Sequence, residues 1–322
     1  MKFLVFGFSV TAEANGYVER GAVLRAVTHP QDEIGKVAIG GLQPDHARHL
    51  IRDIIAKHQP EALIIEVATA VYRLRPETPA QIADHIAGME ALFAICKERD
   101  MHCGIFDLPL TGVEDDKDWM TRTNAALSRT YNVPHRMLPL TEGTLRDTVH
   151  PNEEGKDLYA GVFAGLVDDV HGAVPDFSTL APKRSFDAFA IKDLNVLDAV
   201  YRDFGRAGFE EKMLVINAGE TVQIALPRPV KVTGLIMRMA PTSGTFVIQR
   251  GEAEDRMHCF DRHCYYERVN GKPLKPVITD HLSVFQDPAI PPEELLKGDK
   301  DEGPRLGGIT HILYENTGPD QS

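Results

Sequence analysis

A three-layer α/β domain on a parallel sheet, followed by a C-terminal antiparallel β-sandwich or jelly-roll domain, is the fold this sequence predicts. Three observations carry the prediction. Short apolar runs alternate with helix-periodic segments through the first half, which is the signature of repeated strand–helix units and a sheet covered on both faces. That alternation stops near residue 172. From residue 210 onward the pattern becomes short β-like runs separated by Gly, Pro and Asn turns. A chain of 322 residues has room for about two domains of ordinary size. The expected division is an α/β domain over 1–172, an irregular connection over 173–209 and a β-rich domain over 210–322, whose sandwich fold by analogy offers loops or a concave face to a ligand.

In chain order, apolar runs of strand length fall at 3–6, 37–39, 62–65 and 102–106, with a weaker one at 135–138. Between them, helices are expected over 44–57, 79–98 and 119–130. In the second of these Ile82, Ile86, Met89, Phe93 and Cys96 recur three or four residues apart. A last helix over 153–169 carries Leu158, Val162, Phe163 and Leu166 on one stripe. In the second half, strands are expected at 212–218, 221–226, 230–239, 244–250 and 310–314. The polar, Gly- and Pro-broken stretch 288–304 reads as a surface loop, and 318–322 as a frayed end.

The charge balance narrows the function. A formal net charge of −12 with no Lys/Arg run repels phosphate backbones, so nucleic acid is excluded as a partner. No stretch approaches the roughly 20 apolar residues that a membrane-spanning helix needs. The first apolar run ends at about residue 8 without the small-residue pattern of a secretory cleavage site, and reads as a strand. Four cysteines are too few for a disulfide framework, which makes a reducing, cytoplasmic location the expectation. The oligomeric state is left open, a homo-oligomer being compatible with the sequence.

Chemistry-bearing residues gather where a parallel sheet would bring them together. Ser9 follows the first strand, Gly40 and Gly41 the second, Ala68 to Ala70 the third, and Asp147 and His150 precede the last helix. The carboxyl ends of parallel strands share one edge, so one cleft can collect all of them. A serine hydroxyl attacks a carbonyl only when a base takes its proton, and histidine is the usual base near neutrality. His150 is the candidate base. Asp147, three residues earlier, can orient its ring and stabilise the imidazolium. The main-chain N–H groups of Ser9 and of Gly40 or Gly41 are candidate donors to the oxyanion, each worth about 3 to 4 kcal/mol in the transition state.

These residues, in this order and spacing, resemble the SGNH hydrolases, also called the GDSL esterase and lipase family, over residues 1 to about 172. Ser9 matches the first block, Gly41 the second, and Asp147-Thr148-Val149-His150 the fifth. His150-Pro151-Asn152-Glu153-Glu154-Gly155 is similar to the family's passage into its last helix. Two departures stand out. Gly7-Phe8-Ser9 lacks the family's aspartate, and Glu66-Val67-Ala68-Thr69-Ala70 stands where the third-block asparagine is expected. Thr69 is therefore the candidate third oxyanion donor, with Arg73 an alternative able to reach back.

The resemblance implies a flavodoxin-like α/β fold and a serine-dependent O-acyl, chiefly acetyl, esterase acting on an acylated saccharide or another small ester through an acyl-serine. The alternatives are a polysaccharide O-acyltransferase and a non-catalytic carbohydrate-binding protein on a hydrolase scaffold. Acyl transfer through serine needs no cofactor. Arg73 and Asn152 are candidate substrate contacts, with a salt bridge and a helix cap as their respective structural alternatives. Residues 257–264 group two histidines with two cysteines, but strand geometry turns them to opposite faces, so they read as ordinary β-domain residues and not a metal site. His46 and His49, one helical turn apart among charged neighbours, read as a solvated face.

Overall fold

Strand β1 (Lys2–Gly7) lies second from the edge of a five-stranded parallel sheet ordered β2-β1-β3-β4-β5, in a computed structural model that describes residues 1–113 and 118–316. The other strands are β2 (Glu33–Ala38), β3 (Ala62–Ile65), β4 (His102–Asp107) and β5 (His135–Met137). The chain divides into two units after Lys183. In the first unit the helices are α1 (Tyr17–Ala26), α2 (Pro44–His58), α3 (Pro79–Glu98), α4 (Trp119–Tyr131) and α5 (Glu153–Gly172). The expected end at 318–322 lies outside the described residues.

The parallel sheet forms because its central strands are apolar throughout. Val5, Leu63, Ile64, Ile65, Ile105 and Phe106 are fully buried, as a sheet covered on both faces requires. On one face Tyr159, Phe163, Leu166, Val167 and Val170 of α5 join Phe3, Val5, Phe106 and Tyr17 in one cluster. Each such side chain contributes about 1.5 to 3 kcal/mol on burial. The order 2-1-3-4-5 places the topological switch between β1 and β3, so a crevice opens beyond their carboxyl ends.

Helix α1 was not legible as a helix. Gly16 at its N-cap has no side-chain oxygen, and Val23 and Leu24 face solvent, which blurs the apolar stripe. Glu19 holds the start instead, accepting the Gly16 N–H at 3.1 Å. On α2, His46 and His49 are buried at 7% and 2% exposure, which corrects the expected solvated face. That helix is buried on a wider arc than the Leu50, Ile51, Ile54 and Ile55 stripe alone.

The second unit is antiparallel and built from nine hydrogen-bonded strands among the described residues. They are β6 (Ser185–Ala190), β7 (Asn195–Val196), β8 (Val200–Arg206), β9 (Phe209–Asn217), β10 (Thr221–Met239), β11 (Thr245–Arg250), β12 (Ala253–His258), β13 (Arg268–Gln286) and β14 (Leu306–Asn316). Three of these strands fall within 173–209, so part of the stretch expected as an irregular connection belongs to this sheet. Strand β6 pairs with β14, but its Ser-Phe-Asp-Ala-Phe-Ala run lacks a clean alternation of buried and exposed residues.

The expected break after residue 226 is a register shift within β10. Pairing to β13 resumes at Val230 once Pro227 and Pro229, which have no N–H to give, are accommodated outside the ladder. Strand β13 hides from pattern reading for the same reason, carrying Pro273 and Pro276 in a polar stretch. Leu214, Ile216, Leu235, Met237, Phe246, Leu282, Val284 and Ile309 make the unit's core.

Candidate active site

The segment 144–155 folds on itself before α5. Leu145 bridges Pro151, the Arg146 N–H reaches the His150 carbonyl at 2.9 Å and the Asn152 N–H the Thr144 carbonyl at 2.9 Å. The turn holds Asp147 and His150 face to face, with His150 Nδ1 2.9 Å from Asp147 Oδ2. Asp147 Oδ1 accepts the N–H groups of Val149 at 2.9 Å and His150 at 2.8 Å. Burial works to raise the Asp147 pKa, but these N–H groups and the His150 ring outweigh it and hold the carboxyl below its ordinary value. With Nδ1 facing a carboxylate, the ring keeps its proton there and presents Nε2 as the acceptor.

Ser9 lies just past β1, partly exposed, and Val10 beside it is buried in the cluster against which Leu145 and Val149 pack. Glu13 makes an ion pair with Arg146, and the Thr111 N–H reaches the Thr148 carbonyl at 2.9 Å. The serine turn and the histidine turn are thus tied to one another by the Glu13–Arg146 pair and the packing around Val10, while Thr111 ties the histidine turn to the segment after β4. Asp147 and His150 are paired, and among the described residues no hydrogen bond joins Ser9 Oγ to His150 Nε2.

A Cβ built on Gly40 would lie 3.7 Å from Ser9 Cβ, so the turn after β2 runs directly against the serine. Gly41 follows with φ at 84°, exposed. Among the described residues, the N–H groups of Ser9, Gly40 and Gly41 take part in no hydrogen bond.

Other sequence expectations are corrected by what the side chains touch. Thr69, the expected third oxyanion donor, gives its hydroxyl to Glu66 Oε1 at 2.8 Å and its N–H to the same oxygen at 3.1 Å, which leaves it no proton for an oxyanion. Arg73, the expected substrate contact, is 2% exposed. Its guanidinium donates to the Leu108 carbonyl at 2.9 Å, Asp118 Oδ2 at 2.9 Å and Thr121 Oγ1 at 3.0 Å, so it joins scaffold elements. Asn152 uses both ends of its amide, accepting the Gly155 N–H at 2.9 Å as the N-cap of α5 and donating to the Gly143 carbonyl at 2.6 Å. A Cβ on Gly155 would lie 2.2 Å from the Thr144 carbonyl, which explains why glycine follows this cap.

In the second unit, His258 Nδ1 pairs with Thr245 Oγ1 at 3.0 Å and Cys259 packs on Met237. Cys264 lies beside Asp261 and Arg268.

The residue that sequence reasoning underrated is Glu66. It is fully buried directly after β3 and accepts four hydrogen bonds, from the Phe8 N–H, the Thr11 hydroxyl, and the N–H and hydroxyl of Thr69. Burial pushes its carboxyl up, against the opposing pull of those donors. A carboxylate closing an entirely apolar strand was the available signal.

No family model matches the chain, and no curated protein matches it. Among solved structures, the chain is similar to a two-domain esterase (CEX) active on acetylated mannans, crystallised with mannopentaose. The TM-score is 0.70 at 14% identity, covering 100% of this chain and 92% of that one. A second structure of that esterase aligns with a TM-score of 0.70 at 13% identity, covering 99% and 92%. An acetyl xylan esterase, AlAXEase, aligns with a TM-score of 0.44 at 15% identity over 52% of this chain and 100% of that one. The likeness to the two-domain esterase shows a shared two-domain fold, an α/β unit followed by an antiparallel β unit.

Proposed function

We propose that this chain is a serine-dependent O-acyl esterase of SGNH type that removes acetyl groups from acylated carbohydrate through an acyl-serine intermediate. The observation that carries the reading is the Asp147–His150 pair, whose geometry leaves Nε2 open in a turn braced against the turn that holds Ser9. In this reading His150 Nε2 takes the Ser9 proton as Oγ attacks the ester carbonyl. Asp147 steadies the imidazolium, and the N–H groups of Ser9 and of Gly40 or Gly41 receive the oxyanion. His150 then protonates the departing sugar oxygen, and water releases acetate by the same route in reverse. The carbohydrate assignment draws on the shared fold with an esterase active on acetylated mannans, which has the same succession of two units.

The competing reading, saccharide binding without turnover, draws on Thr69, whose donors are committed to Glu66. Acetate release from acetylated mannan and from acetylated monosaccharides separates the two. Turnover that disappears in Ser9→Ala and His150→Ala supports the esterase. Binding of the polysaccharide with no acetate released, or turnover that Ser9→Ala leaves unchanged, overturns it.

A further inference from the structure

Glu66 occupies the third-block position without the means to act as a third-block asparagine, since every group facing its carboxylate is a donor. Oε2 accepts the Phe8 N–H at 3.3 Å and the Thr11 hydroxyl at 3.1 Å, and Oε1 accepts the Thr69 N–H at 3.1 Å and the Thr69 hydroxyl at 2.8 Å. Phe8 and Thr11 flank Ser9 on either side. Tyr17 extends the chain, its hydroxyl 2.9 Å from Thr11 Oγ1, and is itself buried in the core. Gly7 closes the arrangement. A Cβ there would lie 2.2 Å from Thr11 Oγ1 and 3.0 Å from Glu66 Oε2, so only glycine lets these groups meet beneath the serine turn.

We propose that Glu66 is a positioning residue for Ser9: its buried carboxylate clamps the turn 7–11 from both sides of the nucleophile and ties it to the turn after β3, fixing the Ser9 N–H and Oγ for attack. The inference rests on the reading of Ser9 as the nucleophile. Each carboxylate oxygen faces one main-chain N–H, which cannot reverse its polarity as a hydroxyl can. A glutamine at this place, whichever way its amide is turned, sets an NH2 against one of those N–H groups. The oxyanion site then depends on main-chain N–H groups held still by a buried carboxyl group instead of on a side-chain amide reaching in.

The test uses a p-nitrophenyl alkylphosphonate. Ser9 Oγ forms a bond to phosphorus, the bond to p-nitrophenolate breaks, and His150 takes the hydroxyl proton. The amplitude of nitrophenolate release counts competent serines, and the rate constant at saturation reports how well each one is placed. A merely structural role lowers the amplitude, whereas a positioning role lowers the rate constant at full amplitude. The expected result for Glu66→Gln is about one nitrophenolate per chain released about tenfold or more slowly than in the wild type. A wild-type rate constant in Glu66→Gln overturns the inference. If that variant does not fold, Thr11→Val carries the same test, because it removes one donor to Oε2 and leaves the carboxyl group in place. A rate constant about threefold or more lower supports the inference and an unchanged one overturns it. A wild-type protein that forms no adduct on Ser9 overturns the nucleophile assignment and this inference with it. Normal wild-type labelling with normal Glu66→Gln labelling overturns the inference alone.

Discussion

His150 Nδ1 lies 2.9 Å from Asp147 Oδ2, and the other oxygen of the same carboxylate accepts the His150 N–H at 2.8 Å. One aspartate therefore fixes both the backbone and the ring of the residue it orients. Asn at position 147 can still accept the two N–H groups but presents an NH2 to Nδ1, which favours the wrong ring tautomer. Asp147→Asn is expected to lower kcat on acetyl esters on the order of 10²-fold, below the 10⁴ of a fully buried triad because Asp147 is half exposed to solvent. His150→Ala is expected to fall further. Steady-state kinetics check this, and an Asp147→Asn rate equal to wild type refutes the orienting role.

Arg73 and Asp118 form a buried ion pair at 2.9 Å. Burial raises the Asp118 pKa, but the Arg73 guanidinium more than offsets this and holds the carboxyl below its ordinary value. Arg73→Met strands that carboxylate, with an expected stability loss of about 3 kcal/mol in urea unfolding. Because Arg73 acts in the scaffold, kcat/KM per folded molecule is expected to change less than about twofold. A large rise in KM with stability intact would restore the substrate-binding role.

Asn152 caps α5. Asn152→Ala is expected to lower stability by about 1 kcal/mol with KM for acetylated sugars unchanged. The reverse pattern, weakened substrate affinity at full stability, contradicts the cap assignment.

Glu66 gives a pH signature with a definite sign. Its folded pKa is raised by burial above the ordinary 4.5, so the folded chain binds this proton more tightly than the unfolded chain. That contribution to stability is present below the ordinary value and is lost as pH rises through the folded pKa. The stability of the wild type relative to Glu66→Gln is accordingly expected to decline as pH is raised above 4.5, measured by urea unfolding at a series of pH values. A difference that grows over that range contradicts a raised pKa.

The parallel sheet was legible because burial on both faces makes its strands continuous apolar runs, as in Ala62–Ile65. The Asp147–His150 pair was legible because three-residue spacing in a turn suffices to bring the side chains together. Helix α1 and strand β13 were not, since Val23 and Leu24 face solvent and prolines interrupt the β13 ladder. The roles of Thr69 and Arg73 depend on partners distant in sequence or hidden by the fold. Thr69 turns toward Glu66 and Arg73 toward Asp118, and neither direction follows from residue type. Glu66 itself was visible only as an anomaly, a carboxylate after a buried strand.

The most direct measurement of the central claim is peptide mass spectrometry after reaction with the phosphonate. A single adduct is expected on Ser9, and it fails to form in His150→Ala. An adduct on another residue, or labelling of Ser9 undiminished when His150 is replaced, contradicts it.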